Sequence, residues 1–186
     1  MMTTTNLNTG SLAARFFFGF QLFLLVTTLF FSASLFASSI AVLDFELADL
    51  TQVDDNSEEV KRTASLAPML RKALTDEHEH TALTVPTDIY QNTNQGFGYL
   101  FEHTDAAAQL GHSVGADWVV ITRLHKPSFL FSYLIVQVVN VKTQLAYPEL
   151  VVEIKGQQNE MNERGIKKMA EKIHSQITRL SRISPQ

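Results

Sequence analysis

Two short segments of the chain contain residue types that could carry out chemistry. In the first, the residues from Asp76 to His80 read Asp-Glu-His-Glu-His, so that two imidazoles stand between carboxylates. These groups are ligands for zinc, copper and nickel, and an extended backbone would turn His78 and His80 to the same side. A zinc site needs at least one further ligand, for which the sequence offers His103 or His112. His78 and His80 are therefore candidate metal ligands, and the alternative is a solvated helix end.

The second segment, Gly111 to Gly115, matches the G-x-S-x-G pattern of serine hydrolases. In that mechanism the serine stands on a sharp turn that leaves a strand and enters a helix. Here the order is reversed, because an alanine-rich helical segment precedes Ser113 and a β-prone segment follows it. A triad would also need Glu149 or Glu153 and then His174, on elements with no other sign of catalysis. We therefore expect no catalytic residues and no cofactor, and a hydrolase using Ser113 is the weaker alternative.

Composition excludes several further classes of function. The 186 residues include no cysteine, which rules out disulfides, thiolate zinc sites and a lipid-modified cysteine after a signal. All 19 acidic residues and all but one of the 15 basic residues lie in residues 40–186, so this part is acidic. Proteins that bind nucleic acids carry an excess of basic residues. We therefore expect no nucleic-acid partner.

The N-terminal segment is rich in phenylalanine. Eight of the 13 Phe residues lie in residues 16–36, after the single basic residue Arg15 and before the small residues 37–39. A positive flank, an apolar centre and a small-residue exit are the three parts of a secretory signal. The apolar run also approaches the ~20 residues that cross a bilayer. We predict that residues 1–39 are a signal peptide or an inner-membrane anchor, and that residues 40–186 form a single periplasmic domain.

Hydrophobic periodicity and chain-breaking residues divide this domain into elements. The predicted strands are residues 40–46, 81–85, 118–124, 129–140 and 145–155. The predicted helices are residues 57–76 with a break near Pro68, 105–114 and 159–183, and residues 87–102 are expected to be irregular. The order βαβαβββα predicts an α/β (α+β) fold, a single mixed sheet of about five strands with helices packed on it.

Two surfaces of these elements have more than one interpretation. Phe129, Phe131 and Tyr133 alternate onto one face of a strand, where they either cover a helix or form an exposed docking patch. The last helix carries basic residues on the side away from its apolar stripe, namely Lys167, Lys168, Lys172, Arg179 and Arg182. Such a face is typical of a solvated helix surface, and the alternative is a contact with a membrane or a nucleic acid.

Two segments that begin predicted strands resemble segments of a known protein family. Residues 40–46 read Ile-Ala-Val-Leu-Asp-Phe-Glu, and residues 110–121 read Leu-Gly-His-Ser-Val-Gly-Ala-Asp-Trp-Val-Val-Ile. With the following hairpin and final helix, they resemble a group of bacterial periplasmic proteins of unknown function, some encoded beside quinoprotein methanol dehydrogenase genes. The order of predicted strands and helices is more distantly similar to that of the N-terminal domain of the translocation protein TolB and of the periplasmic domain of the curli secretion channel. The resemblance implies protein–protein contact in the envelope and no catalytic residues.

The sequence thus favours a non-enzymatic exported protein, an interaction or accessory module of a periplasmic or envelope complex. Its expected partner is a protein, and the membrane is involved only through the N-terminal segment if that segment is not cleaved. The alternative is a periplasmic protein that binds a small ligand or a metal through residues 87–102 and the His78/His80 pair.

Overall fold

The computed structural model describes residues 37–156 and 159–183. The predicted leader therefore lies outside the described residues, apart from residues 37–39. Across the described part of the chain, no helix has both the length and the apolar content needed to cross a bilayer.

Six strands and five helices occur in these residues. The strands are β1 (Ser39–Val42), β2 (Glu46–Asp49), β3 (Thr81–Thr84), β4 (Trp118–Lys126), β5 (Phe131–Asn140) and β6 (Leu150–Lys155). The helices are α1 (Ser57–His78), α2 (Thr87–Thr93), α3 (Tyr99–Glu102), α4 (Thr104–Ser113) and α5 (Asn159–Ile183). All six strands belong to one mixed sheet of order β3-β1-β4-β5-β6, with β2 also paired to β4. The predicted fold, one mixed sheet with helices packed on it, is confirmed.

The predicted opening strand of residues 40–46 is wrong in one respect, because the structure divides it into β1 and β2. Both pair in parallel with β4: Val42 lies opposite Val120, and Glu46 lies opposite Arg123. From Val42 to Glu46 the chain advances by four residues, whereas the paired positions on β4, Val120 to Arg123, advance by three. The extra residue is accommodated as a bulge, which interrupts the ladder and re-aims the side chains that follow.

The sheet is covered on both faces, and each face has its own apolar core. On one face α1 and α5 pack through Leu66, Leu70, Met169 and Ile173 against residues of the central strands. Trp118 belongs to this core and is 3% exposed. On the opposite face α4 packs with residues including Ala107 and Leu110 against Val119, Ile121 and Val139.

The predicted break in the first long helix does not occur. α1 continues through Pro68, which has no N–H to donate to the Ala64 carbonyl. Both residues are exposed, so water can solvate that carbonyl. On the opposite side Leu66 and Leu70 are fully buried, and their packing offsets the cost of about 3 kcal/mol of proline inside a helix.

The expectation that residues 87–102 are irregular is also wrong, because they contain the short helices α2 and α3. Arg123 of β4 holds this segment: its guanidinium lies 4.6 Å from the ring centre of Phe97 and 4.3 Å from that of Phe101. The same group donates to a Glu46 carboxylate oxygen at 2.7 and 3.1 Å. The other Glu46 oxygen accepts from the Gly98 N–H at 2.8 Å. A side chain far away in sequence therefore organises a segment that is polar and rich in glycine.

Gly111 permits the close approach of α4 to the sheet. A Cβ atom at this position would lie 2.3 Å from a Val119 methyl group and 2.7 Å from one of Val141. Gly115 ends the helix in a left-handed conformation with φ of 73°. The two glycines of the hydrolase-like pattern thus have structural roles in packing and in helix termination.

We predict that Gly111→Ala destabilises the protein by about 1–3 kcal/mol, because overpacking exceeds the gain of about 1 kcal/mol in helix propensity. Chemical denaturation measures the free energy of unfolding. Gln109→Ala, at an exposed position of the same helix, is the matched control and should change that free energy by less than about 0.5 kcal/mol. A Gly111→Ala variant as stable as the wild type would contradict the close packing described above.

Candidate functional site

A buried cluster of charged side chains lies where β2, α1 and β4 meet. The Lys126 ammonium group contacts a Glu59 carboxylate oxygen at 2.8 Å and an Asp49 oxygen at 3.3 Å, and each of the three side chains is 6% exposed. From the sequence, neither Glu59 nor Lys126 had a predicted functional role. The available signal was a lysine at the end of a strongly apolar strand.

Arg62 extends this cluster to two further elements. It donates to the second Glu59 oxygen at 2.8 Å, to the Asn162 side-chain oxygen at 2.8 and 3.0 Å, and to the Ser132 hydroxyl at 3.2 Å. Arg62 and Lys126 balance the charges of Glu59 and Asp49. We call these four charged residues the ionic cluster; through Arg62 it reaches α5 and β5.

Asp49 also binds the chain that follows it. Its carboxylate accepts from the Thr51 hydroxyl at 2.6 Å and from the Thr51 N–H at 2.9 Å. Burial raises the pKa of Asp49, but the hydrogen bonds from Thr51 and the interactions with Lys126 outweigh it, so the pKa lies below its ordinary value. The carboxylate is therefore ionised at neutral pH and holds the turn after β2.

Next to the ionic cluster, the loop after β2 and the connection between β4 and β5 expose large apolar side chains. Leu50 and Phe129 are each 59% exposed, Leu130 is 68% exposed and Phe131 is 39% exposed. The Leu50 N–H donates to the Lys126 carbonyl at 2.9 Å, which brings the loop after β2 to this connection. We call these four residues the hairpin tip. Of the three aromatic residues predicted to share one face, Phe129 and Phe131 are exposed and Tyr133 is half-buried. Docking at this surface stays a prediction.

Two acidic side chains follow Leu50 in the same loop. Asp54 and Asp55 are exposed in the loop that runs from Leu50 to the start of α1. Hydrogen bonds from the Ser57 N–H and side chain hold the pKa of Asp55 below its ordinary value. We call Asp54 and Asp55 the acidic rim.

A cluster of three histidines lies near the C-terminal end of α1. His80 Nε2 and His174 Nδ1 are 3.0 Å apart, and the His78 ring stacks on the His174 ring with centroids 4.7 Å apart. The sequence predicted that His78 and His80 approach each other, but it named His103 or His112 as the third member. His103 stacks instead on Tyr99, on the opposite face of the sheet. The signal for His174 was its place beside the apolar stripe of the last helix.

The rings of the histidine cluster are packed against one another. An imidazole binds a metal ion in its own plane, and the rings of His78 and His174 are stacked with only 16° between their planes. No group of three or more His, Asp or Glu residues in the described ranges is placed to hold a metal ion. Metal binding by His78 and His80 alone stays a prediction.

The surroundings of the cluster favour the uncharged state. Burial, followed by the imidazoles of His174 and His78, lowers the pKa of His80 from 6.5 to about 4. Burial and then His78 also lower the pKa of His174. The rings of His80 and His174 therefore pack without a positive charge at neutral pH.

Ser113 does not meet the partners that a hydrolase would need. It lies at the end of α4, and its hydroxyl donates to the Leu110 carbonyl at 2.6 Å. His174 lies on α5, on the other face of the sheet. The pocket bordered by Thr87 and Tyr90, in the segment considered for small-ligand binding, has a volume of about 50 Å³, which suits one or two water molecules.

Comparison with known proteins places the sequence in a family. Residues 38–173 match the family described as "Protein of unknown function (DUF2380)". The chain belongs to this family. The predicted resemblance to an uncharacterised family is thus confirmed, while the periplasmic location and the neighbourhood of methanol dehydrogenase genes stay predictions for this family member. No curated protein matches the chain in sequence.

Solved structures share the general fold at low identity. The C-terminal domain of LpoB from Salmonella enterica is 18% identical, with a TM-score of 0.45, covering 71% of this chain and 93% of its own. PelC, a dodecamer from Paraburkholderia phytofirmans, is 11% identical, with a TM-score of 0.46 and coverages of 71% and 84%. TolB from Acinetobacter baumannii is 13% identical, with a TM-score of 0.40 and coverages of 76% and 27%. Likenesses at this level carry no information about the partner of the family member described here.

We predict that Lys126→Met destabilises the protein by about 3–5 kcal/mol, because it leaves two buried carboxylates with one guanidinium group. Chemical denaturation at neutral pH measures the change. Lys61→Met is the matched control: Lys61 contacts Glu58 at 2.7 Å, but the two side chains are 72% and 87% exposed. The control should cost at most about 1 kcal/mol. Equal effects of the two substitutions would show that the ionic cluster contributes no more than a surface ion pair.

The histidine cluster makes stability depend on pH. The folded pKa of His80 is about 4, below its ordinary 6.5, so its contribution is present above pH 6.5 and is lost as the pH falls toward 4. Between these values the unfolded chain binds a proton that the folded chain does not. We expect a loss of roughly 2–3 kcal/mol of unfolding free energy between pH 7 and pH 4.5 from this group alone.

Denaturation curves at both pH values check this expectation. His80→Gln should reduce the loss of unfolding free energy between pH 7 and pH 4.5 by roughly 2–3 kcal/mol. His112→Gln, at an exposed position, should leave that loss unchanged. An identical pH dependence in the wild type and in His80→Gln would mean that His80 is not held neutral by the fold.

Proposed function

We propose that the protein is an exported, non-enzymatic interaction module of the cell envelope that docks onto a protein partner through its hairpin tip. The observation that carries this proposal is a set of four large exposed apolar side chains on two chain connections that meet next to the buried ionic cluster, namely Leu50, Phe129, Leu130 and Phe131. Exposed apolar groups that are bordered by polar residues mark interaction sites, and phenylalanine is enriched in protein interfaces.

The hairpin tip is held in place before any partner binds. The Gly156 N–H donates to the Leu130 carbonyl at 3.0 Å, which ties the tip to the end of β6. The Lys126 ammonium group lies 5.7 Å from the centre of the Phe129 ring while it binds the ionic cluster. A preorganised surface loses little conformational entropy on binding, so a small apolar patch can contribute effectively to affinity.

Charge indicates what kind of surface binds there. The acidic rim would attract a protein surface whose apolar centre is flanked by lysine or arginine. The exposed cation beside the tip, Lys155, lies 6.0 Å from the Phe131 ring centre, but it is paired with Glu153 at 3.6 Å. The carboxylates therefore outnumber it and would repel anionic lipid headgroups. The proposal therefore commits to a protein with a basic border around an apolar site, and not to a membrane surface.

The remaining parts of the proposal follow from the sequence. We propose that residues 1–39 direct export, either as a cleaved signal peptide or as an inner-membrane anchor, and that residues 40–186 act in the periplasm as one domain. The non-enzymatic role is supported by the separation of Ser113 and His174 on opposite faces of the sheet.

Site-specific photo-crosslinking tests the docking surface. A benzophenone amino acid replaces Leu130 in the full-length chain, expressed in its native cells. Leu145 is the matched control, because it is 58% exposed and follows the other end of β5. We expect discrete protein adducts from position 130 that are absent from position 145. Phe129→Ser with Phe131→Ser should reduce these adducts by at least about tenfold, as expected for interface anchors.

A second pair of variants tests the charge argument. Asp54→Lys with Asp55→Lys should weaken the same adducts, whereas Asp105→Lys, at an exposed position on α4, should not. Adducts that are equal at positions 130 and 145, or that contain lipid and no protein, would overturn the proposal.

A further inference from the structure

The sheet face opposite α5 is covered only in part. On this face α4 packs over residues of β1, β4 and the end of β5. Farther along β5, Tyr133 and Ile135 alternate with the buried Leu134, so they point to this same face. Within the part of the chain that the structure describes, they belong to neither of the two apolar cores, and the same holds for Val151 on β6. These side chains therefore contribute to the protein surface.

The register of the strands joins these side chains into one band. Ile135 lies directly opposite Arg123 on β4 and directly opposite Val151 on β6. Side chains in such cross-strand positions are close enough to contact one another. The Arg123 guanidinium lies 4.6 Å from the centre of the Phe97 ring, which is 65% exposed. The band therefore crosses three strands, and we call Phe97, Tyr133, Ile135 and Val151 the open face.

The open face continues into the hairpin tip. Phe131 of the tip stands two residues before Tyr133 on β5, so the two rings are on the same side of the strand. Phe131 lies opposite Lys155, whose ammonium group is 6.0 Å from the centre of the Phe131 ring. Because Lys155 is paired with Glu153 at 3.6 Å, the border between the tip and the open face is nearly neutral.

The hairpin tip alone is small for a stable interface. Its four exposed side chains offer roughly 400 Å² of accessible surface in total. A specific protein–protein interface buries about 800 Å² on each partner. A protein that docks stably at the tip must therefore cover adjoining surface as well.

Two surfaces adjoin the tip, and they differ in charge. On the α1 side, the exposed residues Val53 and Val60 are separated by carboxylates, among them the two of the acidic rim. Covering this side would remove those carboxylates from water, which is costly unless each one meets a cation. On the open face the apolar side chains are direct neighbours, and the Arg123 guanidinium is already paired with Glu46 at 2.7 Å. Burial of the open face therefore removes apolar surface from water and leaves no new charge unpaired.

From area, continuity and charge we infer that the protein partner of the hairpin tip also covers the open face. The inference rests on the proposed function, and it adds the position of the partner and the chemistry of its surface. The part of the partner that meets the open face is apolar and uncharged, and its basic residues lie at the other border of the interface, against the acidic rim. Strand propensity would explain valine, isoleucine and tyrosine on an exposed strand, but it would not place Phe97 beside them.

Photo-crosslinking at two matched positions tests the inference in the full-length chain, expressed in its native cells. The benzophenone amino acid replaces either Val151 of the open face or Val60 of α1, which are 47% and 50% exposed. We expect position 151 to give the same protein adduct as position 130, identified by mass spectrometry, and position 60 to give none. Equal adducts at positions 151 and 60 would overturn the inference, because exposure alone would then explain both.

The outcomes at positions 130 and 151 separate this inference from the proposed function. An adduct at position 130 without one at position 151 overturns the inference and leaves the proposed function standing. Absence of protein adducts at both positions overturns both. An adduct at position 151 that consists of two copies of this chain, or of a protein not found at position 130, shows a different occupant and also overturns the inference.

Matched substitutions measure how much the open face contributes to binding. Val151→Glu places a carboxylate in the apolar band, and it should reduce the adduct from position 130 at least about fivefold, as expected for a residue at the centre of an interface. Val151→Ile keeps the band apolar and should retain the adduct, and Val60→Glu is the control for an added charge outside the band. Circular dichroism verifies that each variant is folded. Undiminished crosslinking from position 130 in a folded Val151→Glu variant would contradict the inference.

Discussion

The balance of charge in the ionic cluster is the constraint on which the structure depends. Two carboxylates, Asp49 and Glu59, are removed from water at one end of the sheet, and they are tolerated because Lys126 and Arg62 are buried with them. The four side chains come from β2, α1 and β4, and Arg62 also binds residues of β5 and α5. The two long helices and the central hairpin are therefore positioned by one set of contacts. Phe129 of the hairpin tip lies 5.7 Å from the Lys126 ammonium group of this set.

A second ion pair, Glu46 with Arg123, positions chain segments on the other face of the sheet. Glu46 and Arg123 lie opposite each other on β2 and β4, and so do Asp49 and Lys126. Along both strands the two pairs are three positions apart. Because side chains alternate between the two faces along a strand, the two pairs point to opposite faces of the sheet. One pair holds α2 and α3, and the other belongs to the ionic cluster. The bulge after Val42 brings Glu46 and Asp49 to these positions.

Hydrophobic periodicity alone was sufficient to predict the elements that bury one continuous apolar surface. The bounds of α5 agree with the prediction because its apolar residues recur at helical spacing, and β3 agrees because Pro86 ends it. The bulge, the helix through Pro68 and the two helices in residues 87–102 were missed, since each depends on packing against distant residues. For the same reason the pair of His78 and His80 could be recognised, but its meeting with His174 could not. Charged residues that neutralise each other inside a fold look like surface residues in a sequence.

The parallel pairing of β1 and β2 with β4 has a consequence for the order of events after synthesis. Ile40 pairs with Trp118, so the centre of the sheet cannot close until a long intervening chain has been ordered. Closing such a loop costs entropy before its contacts form, and folds dominated by distant pairings are slow to assemble. The first strands are synthesised early, and their partner β4 emerges from the ribosome much later. The N-terminal part of the sheet therefore stays open during most of synthesis, and β1 and β2 can pair with β4 only once residue 126 has been made.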